Sequence, residues 1–150
     1  MGKNREHLER IVSAGHELGN HSYSHSFLFP LFSAKKIAGE LRRTDGLLKE
    51  VSGREPVWFR PPFGVSNPNI NRGLKLYPMK IAGWSIRSFD TRGEHAGKVL
   101  ARIRKRLRGG DVILLHDHSI HILGILEGVL QMMKEKGLEG VSLGTLCEDQ

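Results

Sequence analysis

The chain has 150 residues, of which 39% are hydrophobic and 26% charged, a balance typical of one folded domain and not of a disordered chain. No apolar run reaches the length of a membrane span, the N-terminus leads into charge where a signal peptide would be apolar, and the single cysteine excludes an internal disulfide. The net charge of +7 would suit an anionic partner such as nucleic acid, a membrane surface or an acidic wall polymer.

Caps, breakers and apolar periodicity predict helices that alternate with short strands along the whole chain. The helices are predicted at residues 4–14, 33–51, 67–77, 98–108 and 122–133. The strands are predicted at residues 56–59, 79–86, 111–115 and 141–143, with a brief one leading into His21. Because no linker, low-complexity segment or internal repeat divides the sequence, we expect one domain over residues 1–150.

Local signals mark the ends of two of these helices. Ser33 is a suitable N-cap for the long second helix, and Gly53 is the residue that would end it. Asn67 followed by Pro68 is typical of a helix start, because proline is accepted at the first helical position. In the last helix we expect one face to be buried, formed by Ile122, Leu126, Val129, Leu130 and Met133.

Much of the positive charge lies on the fourth predicted helix. Its basic residues surround apolar positions that recur at helical spacing: Lys98, Arg102, Arg104, Lys105, Arg106 and Arg108. A surface helix with a basic, solvent-facing side accounts for this pattern better than a nucleic-acid-binding stripe, because no aromatic residue interrupts it to stack on bases. We therefore expect no nucleic-acid partner.

Alternating helices and strands predict a parallel α/β sheet, either open or rolled into a barrel, since parallel neighbours need crossover connections. The polar side chains able to do chemistry follow the strands, and they are His21, His25, Arg60, Asp90 and His116. In α/β proteins the carboxyl ends of the strands are where catalytic loops assemble. We therefore expect four loops to converge on one cleft.

His21 and His25 stand four positions apart, which is the spacing of a metal-ligand pair. Neutral imidazole suits zinc and similar divalent ions. The zinc-protease pattern is excluded, because it requires glutamate directly after the first histidine and Ser22 occupies that position. Taken alone, such a pair is also compatible with surface or core histidines.

Four motifs follow one another in a set order. They are His21-Ser22-Tyr23-Ser24-His25, Arg60-Pro61-Pro62-Phe63-Gly64, Trp84 to Asp90, and Leu114-Leu115-His116-Asp117. Together they resemble motifs two to five of the polysaccharide deacetylase family, carbohydrate esterase family 4. The resemblance implies a distorted (β/α) barrel. It also implies hydrolysis of N- or O-acetyl groups on chitin-like chains, peptidoglycan or related glycans, with a divalent metal that is often zinc.

The resemblance also implies roles for residues in the first half of the chain. His21 and His25 resemble the two histidine ligands of the metal. Arg60 looks like the arginine that orients the catalytic aspartate. Phe63 occupies the position whose backbone N–H helps to hold the oxyanion.

In the second half of the chain, Asp90 resembles the carboxylate that holds and tunes the acid histidine, and His116 looks like that acid. A histidine is needed there because the departing amine must be protonated: an amide anion is a very poor leaving group.

The residues that the resemblance implies to contact the substrate are Pro62, Trp84 and Leu114.

The sequence departs from the family pattern in three places. The first family motif, a Thr-Phe-Asp-Asp-Gly-like strand end that supplies the base and the third, aspartate ligand of the metal, is not found here. Met1 begins about where the helix before the second motif should begin, so we expect the barrel to be truncated at its N-terminus. Thr91 and Arg87 stand where many members have a tryptophan and an acidic residue, respectively.

Two functions from different classes therefore remain open. The first is a metal-dependent hydrolase acting on an acetylated polysaccharide. The second is a catalytically impaired remnant that binds glycan or metal, or that another chain completes. The family usually works outside the cytoplasm, whereas no signal peptide is expected in this chain, so the localisation and the oligomeric state stay open.

Overall fold

The computed structural model describes residues 2–148, with side chains for residues 5–148. The chain forms two compact units, one ending at Ala82 and the other beginning at Gly83. None of the helices described over this range is both long enough and apolar enough to cross a membrane.

The first unit combines three helices with a pair of short parallel strands. The helices are α1 (Gly2–Ser13), α2 (Ala34–Ser52) and α3 (Pro68–Leu76). The strands are β1 (Trp58–Phe59) and β2 (Lys80–Ile81). In place of the short strand expected before His21, a single parallel bridge joins Asn20 to Phe59.

Five fully buried apolar side chains form the core of this unit: Phe29, Ile37, Leu41, Phe59 and Ile70. Burying a side chain of this size stabilises the fold by roughly 1.5–3 kcal/mol. At the contact between α2 and α3, Gly73 permits a close approach, because a Cβ there would lie 2.5 Å from Cγ2 of Ile37. The core thereby fixes β1, and the loop that follows it, against two helices.

The predicted helix caps are confirmed. The Ser33 side chain accepts a hydrogen bond from the Lys36 N–H, and the Asn67 side chain accepts one from the Ile70 N–H. Gly53 ends α2 in the left-handed conformation, with φ of 70°, which glycine adopts without steric cost.

The second unit has two parallel strands and three helices. The strands are β3 (Ile86–Arg87) and β4 (Ile113–Leu114). The helices are α4 (Ala96–Arg104), α5 (Ile122–Glu135) and α6 (Leu143–Glu148). Its core consists of Ile86, Val99, Ile103, Leu107, Ile125, Val129 and Met132. The basic helix α4 is shorter than predicted, although Leu107 beyond its end is still buried.

The apolar run at residues 79–86 is not one strand, as the sequence predicted. Lys80 and Ile81 pair with β1 in the first unit, whereas Ile86 and Arg87 pair with β4 in the second. The run therefore supplies one short strand to each unit, and apolar composition alone does not reveal where the pairing partner changes.

The strand predicted at residues 141–143 is wrong. Leu143 begins α6, and the Ser142 hydroxyl accepts a hydrogen bond from the Thr145 N–H in the manner of an N-cap. The side chain of Val141 is 54% exposed, so this segment gains no burial that would favour a strand over the helix.

The buried face of α5 also differs from the prediction. Ile125, Val129 and Met132 are buried, whereas Leu126 and Leu130 are 42% and 55% exposed. Because α5 carries apolar residues around much of its circumference, periodicity does not select the face that packs on α4.

Candidate functional site

The loop carrying the two histidines begins at a hydrogen-bonded anchor beside β1. The Asn20 N–H donates to the carbonyl of Trp58 (2.8 Å), and the Arg60 N–H donates to the carbonyl of Asn20 (2.9 Å). These two bonds align Asn20 with β1, so His21 and Arg60 leave the same edge of the unit as neighbours.

The imidazoles of His21 and His25 lie together. Their ring centroids are 4.9 Å apart and the rings are tilted by 58°. Nδ1 of His21 lies 2.6 Å from the backbone carbonyl oxygen of Arg60. Since a carbonyl only accepts hydrogen bonds, Nδ1 must carry the proton, which leaves the lone pair of neutral His21 on Nε2.

The backbone between the histidines is held in an uncommon conformation. Ser22 and His25 have φ of 68° and 45°, in the left-handed region that non-glycine residues rarely adopt. The Ser22 N–H donates to Oδ1 of Asn20 (2.9 Å), and the His25 N–H donates to the Ser22 hydroxyl (3.1 Å). Such conformations persist where hydrogen bonds hold them, and here they bring the two imidazoles next to each other.

Asn20 and Asp45 form a buried polar pair behind this loop, and sequence reasoning missed both. Nδ2 of Asn20 donates to the Leu41 carbonyl (2.9 Å) and to Oδ1 of Asp45 (2.6 Å). Burial raises the pKa of Asp45, although hydrogen bonds from Asn20 and Tyr77 oppose the shift. The only signal in the sequence was an acidic residue on the apolar side of the second helix.

The loop after β1 presents Arg60 and Phe63. Nε of Arg60 donates to the Ala82 carbonyl (3.2 Å), and burial lowers the pKa of its guanidinium, which nevertheless stays charged at neutral pH. Pro62 is buried. Phe63 is left-handed, with φ of 59°, and its side chain is 43% exposed. Its ring contacts His25 edge-on, with centroids 5.0 Å apart.

The second unit holds the other predicted pair, Asp90 and His116. Asp90 is only 2% exposed. Its Oδ1 accepts from Nδ1 of His116 (2.9 Å), and its Oδ2 accepts from the His116 backbone N–H (2.7 Å). With Nδ1 committed to the carboxylate, Nε2 is the ring nitrogen of His116 that can exchange a proton with a substrate.

The environment of Asp90 favours its ionised form. Burial alone would raise its pKa, but hydrogen bonds from Ser88 (2.7 Å) and from the side chain and backbone of His116, together with the histidine charge, lower the pKa from 3.8. The Ser119 hydroxyl donates to the Asp90 carbonyl (2.9 Å), and Arg102 donates to the Ser88 carbonyl. The prediction that Arg102 lies on the solvent-facing side of the basic helix is wrong, because the residue is half-buried and bonded to Ser88. Sequence reasoning gave Ser88 and Ser119 no role, because each is a serine of ordinary appearance.

The remaining predicted positions lie near β3 and β4. Leu114 is buried in β4, directly opposite Arg87 of β3. Trp84 is half-buried before β3, and Thr91 is exposed. The guanidinium of Arg87 lies 4.8 Å from the ring centroid of Phe89. That Pro62, Trp84 and Leu114 contact a substrate stays a prediction.

The donor chemistry of the histidine pair suits a divalent metal, but the pair makes only part of a site. Catalytic zinc sites take three protein ligands. Among the described side chains of residues 5–148, no group of three or more His, Cys, Asp or Glu residues is placed to hold an ion. His21 and His25 therefore fit two ligand positions, and the described chain does not supply the third.

Parallel strand pairs among helices define an α/β protein, with an imidazole pair in the first unit and a carboxylate-held histidine in the second. The family model described as polysaccharide deacetylase matches residues 1–82. The chain belongs to the polysaccharide deacetylase family and has its fold. The distorted (β/α) barrel stays a prediction.

Relatives and solved structures agree with this assignment. The peptidoglycan-N-acetylmuramic acid deacetylase PdaC of Bacillus subtilis is 27% identical over 143 residues, covering 95% of this chain and 30% of that protein. Its solved structure gives a TM-score of 0.88 at 26% identity, over 98% of this chain and 71% of the other. A family 4 acetyl xylan esterase from Clostridium thermocellum, solved with a cobalt ion, gives 0.86 at 26% identity, over 96% and 70%.

A peptidoglycan-N-acetylglucosamine deacetylase of Bacillus cereus is 30% identical over 146 residues, covering 88% of this chain and 52% of that protein. The chain spans between 18% and 56% of the length of the first curated relatives it matches.

Proposed function

We propose that the chain carries the histidine metal ligands and the acid of a metal-dependent hydrolase that removes N- or O-acetyl groups from a polysaccharide such as chitin oligomers or peptidoglycan. The observation that carries this proposal is the Asp90–His116 pair, in which a buried carboxylate holds Nδ1 at 2.9 Å. Relatives named as peptidoglycan deacetylases and a family 4 acetyl xylan esterase support the substrate class.

In this proposal His21 and His25 hold a divalent metal, with zinc or cobalt as the candidates. When bound, such an ion polarises the acetyl carbonyl and lowers the pKa of water toward neutrality. The hydrogen bond from Nδ1 of His21 to the Arg60 carbonyl fixes the tautomer whose Nε2 is a ligand. In this proposal the third metal ligand, and the base that takes the proton from water, come from outside the described residues.

The chain's own groups then act on the acetyl group. The Phe63 N–H donates a hydrogen bond to the carbonyl oxygen as negative charge develops on it. Water adds to the acetyl carbon and gives up a proton to the base. The C–N bond then breaks while the imidazolium form of His116 gives the proton on Nε2 to the departing amine, so that acetate and the free amine are formed. Before this transfer the Asp90 carboxylate orients the ring and stabilises its positive charge through the hydrogen bond to Nδ1–H. Arg60 keeps the loop of Phe63 in place through its bond to the Ala82 carbonyl.

The test is acetate release from N-acetylated chito-oligosaccharide and from acetylated xylan, with zinc or cobalt added. We expect His116→Ala to lower kcat by about 10²–10⁴-fold, the usual contribution of a general acid. His16→Ala is the matched control, because His16 is exposed and lies outside both the His21–His25 pair and the Asp90–His116 pair. Release that His116→Ala leaves unchanged contradicts the proposal.

The alternative is a non-catalytic chain that binds glycan or metal, or that another chain completes. The same protein then binds the oligosaccharide without releasing acetate, with or without added metal. Acetate release that appears only when a second polypeptide is added supports completion by that chain.

A further inference from the structure

Phe27 is the most exposed large apolar side chain of the described residues, at 87%, and it follows His25 by two positions. Its ring lies nearly parallel to that of Phe63, with an interplanar angle of 13° and centroids 5.3 Å apart. Phe63 in turn contacts His25. The three rings form one continuous aromatic surface that begins at the histidine pair.

Hydrogen bonds hold the backbone around Phe27, and they keep its side chain in the exposed position. The Ser26 hydroxyl accepts from the Leu28 N–H (3.2 Å), and the Ser26 carbonyl accepts from the Phe29 N–H (2.9 Å). Phe29 is fully buried in the core. Nδ2 of Asn67 donates to the Pro30 carbonyl (2.7 Å), which fixes the far end of the same turn.

We propose that Phe27 and Phe63 form a stacking platform for one pyranose ring of a neutral β-linked amino-sugar chain, next to the sugar that is deacetylated. This proposal rests on the proposed function for the identity of the glycan. The C–H groups of such a ring form an apolar face that packs on a flat aromatic surface, while its hydroxyl and acetamido groups stay in water. Neither phenyl ring offers a charge or a hydrogen-bond donor, which suits an uncharged ligand.

The size of the exposed surface favours a sugar over a protein partner. Beside Phe27 and the 43% exposed Phe63, the exposed apolar side chains in the loop of Phe27 are Leu28 and Leu31, at 59% and 75%. Four such side chains contribute at most a few hundred Å², whereas a stable protein interface takes about 800 Å² from each partner. One or two sugar rings match the smaller area.

The experiment measures binding of N-acetylchitotetraose to the full chain by titration calorimetry without added metal. We expect Phe27→Ala to weaken binding about 3- to 10-fold, and Phe27→Trp to keep or tighten it. Leu31→Ala is the matched control, at an apolar side chain that is 75% exposed but has no ring to stack on a sugar, and we expect less than a 2-fold change. The platform is overturned if Phe27→Ala and Leu31→Ala lose the same affinity for the oligosaccharide and the molecular mass depends on protein concentration. That result would favour an interface with a second copy of the chain.

Activity separates this proposal from the proposed function. If the wild-type chain releases acetate and Phe27→Ala leaves KM and kcat unchanged, the platform is wrong and the hydrolase stands. If Phe27 governs oligosaccharide binding but His116→Ala leaves acetate release unchanged, the platform stands and the hydrolase proposal is wrong. Absence of oligosaccharide binding by both wild type and Phe27→Trp also overturns the platform.

Discussion

The Asp90 carboxylate accepts three hydrogen bonds, from the Ser88 hydroxyl and from two N–H groups of His116, while almost no part of it reaches water. Removing one partner from such a buried group costs roughly 1–3 kcal/mol, because the other partners are left unsatisfied. The pair therefore contributes to the stability of the second unit as well as to the proposed chemistry.

This pair makes the stability of the chain depend on pH at the acid end. Because the native pKa of Asp90 lies below its ordinary value of 3.8, its contribution is fully present above about pH 4 and is lost as pH falls through the native pKa. We expect Asp90→Asn to flatten this acid decline. Urea unfolding from about pH 2 to 5 measures this decline, and parallel slopes for the two proteins contradict the account.

Asn20 supports the histidine loop from behind. We expect Asn20→Ala to lower the free energy of unfolding by about 1–3 kcal/mol, because Asp45 and the Ser22 N–H lose their partner. Asn71→Ala, at an exposed position of α3, should change it by less than about 0.5 kcal/mol. Denaturant titration measures the free energy of unfolding of the two variants. Equal losses would mean that the buried hydrogen bonds of Asn20 do not stabilise the fold.

At the scale of elements, the contact between α2 and α3 depends on the absence of a side chain at Gly73. A Cβ there would meet both Cγ2 (2.5 Å) and Cβ (2.9 Å) of Ile37, and the second atom is close to the backbone and cannot move aside. We expect Gly73→Ala to destabilise the first unit by about 1–3 kcal/mol through overpacking.

Gly46 provides the control for that prediction. It lies on the exposed side of α2, where an added Cβ meets no described atom within 4 Å. Gly46→Ala should stabilise the chain by about 0.5–1 kcal/mol, since alanine loses less backbone entropy than glycine in a helix. Thermal unfolding measures the melting temperatures of both variants. A higher melting temperature for Gly73→Ala than for Gly46→Ala would contradict the described helix contact.

Elements defined by local chemistry could be predicted from the sequence, and elements defined by pairing partners could not. The caps Ser33 and Asn67 act within three residues of themselves, so their signals are complete in the sequence. The run at residues 79–86 changes its partner strand midway, which depends on distant residues. The last segment is an exception, because the cap at Ser142 also acts within three residues, yet the β-propensity of Val141 led to the prediction of a strand.

At the scale of the whole molecule, the ordered motifs identified the family and the residues that the structure places in two pairs, His21 with His25 and Asp90 with His116. The supporting residues Asn20, Asp45, Ser88 and Ser119 could not be found in this way, because their partners are more than twenty positions away or their types are common. That the four loops meet in one cleft stays a prediction.

The measurement that tests the central claim most directly is the stoichiometry of Co²⁺ binding, followed by visible absorption and titration calorimetry on the wild-type chain and its His25→Ala and His118→Ala variants. The account predicts one ion per chain, with affinity lowered at least about 10-fold in His25→Ala and unchanged in His118→Ala. Binding that is equal in all three proteins, or absent from the wild-type chain, would contradict it.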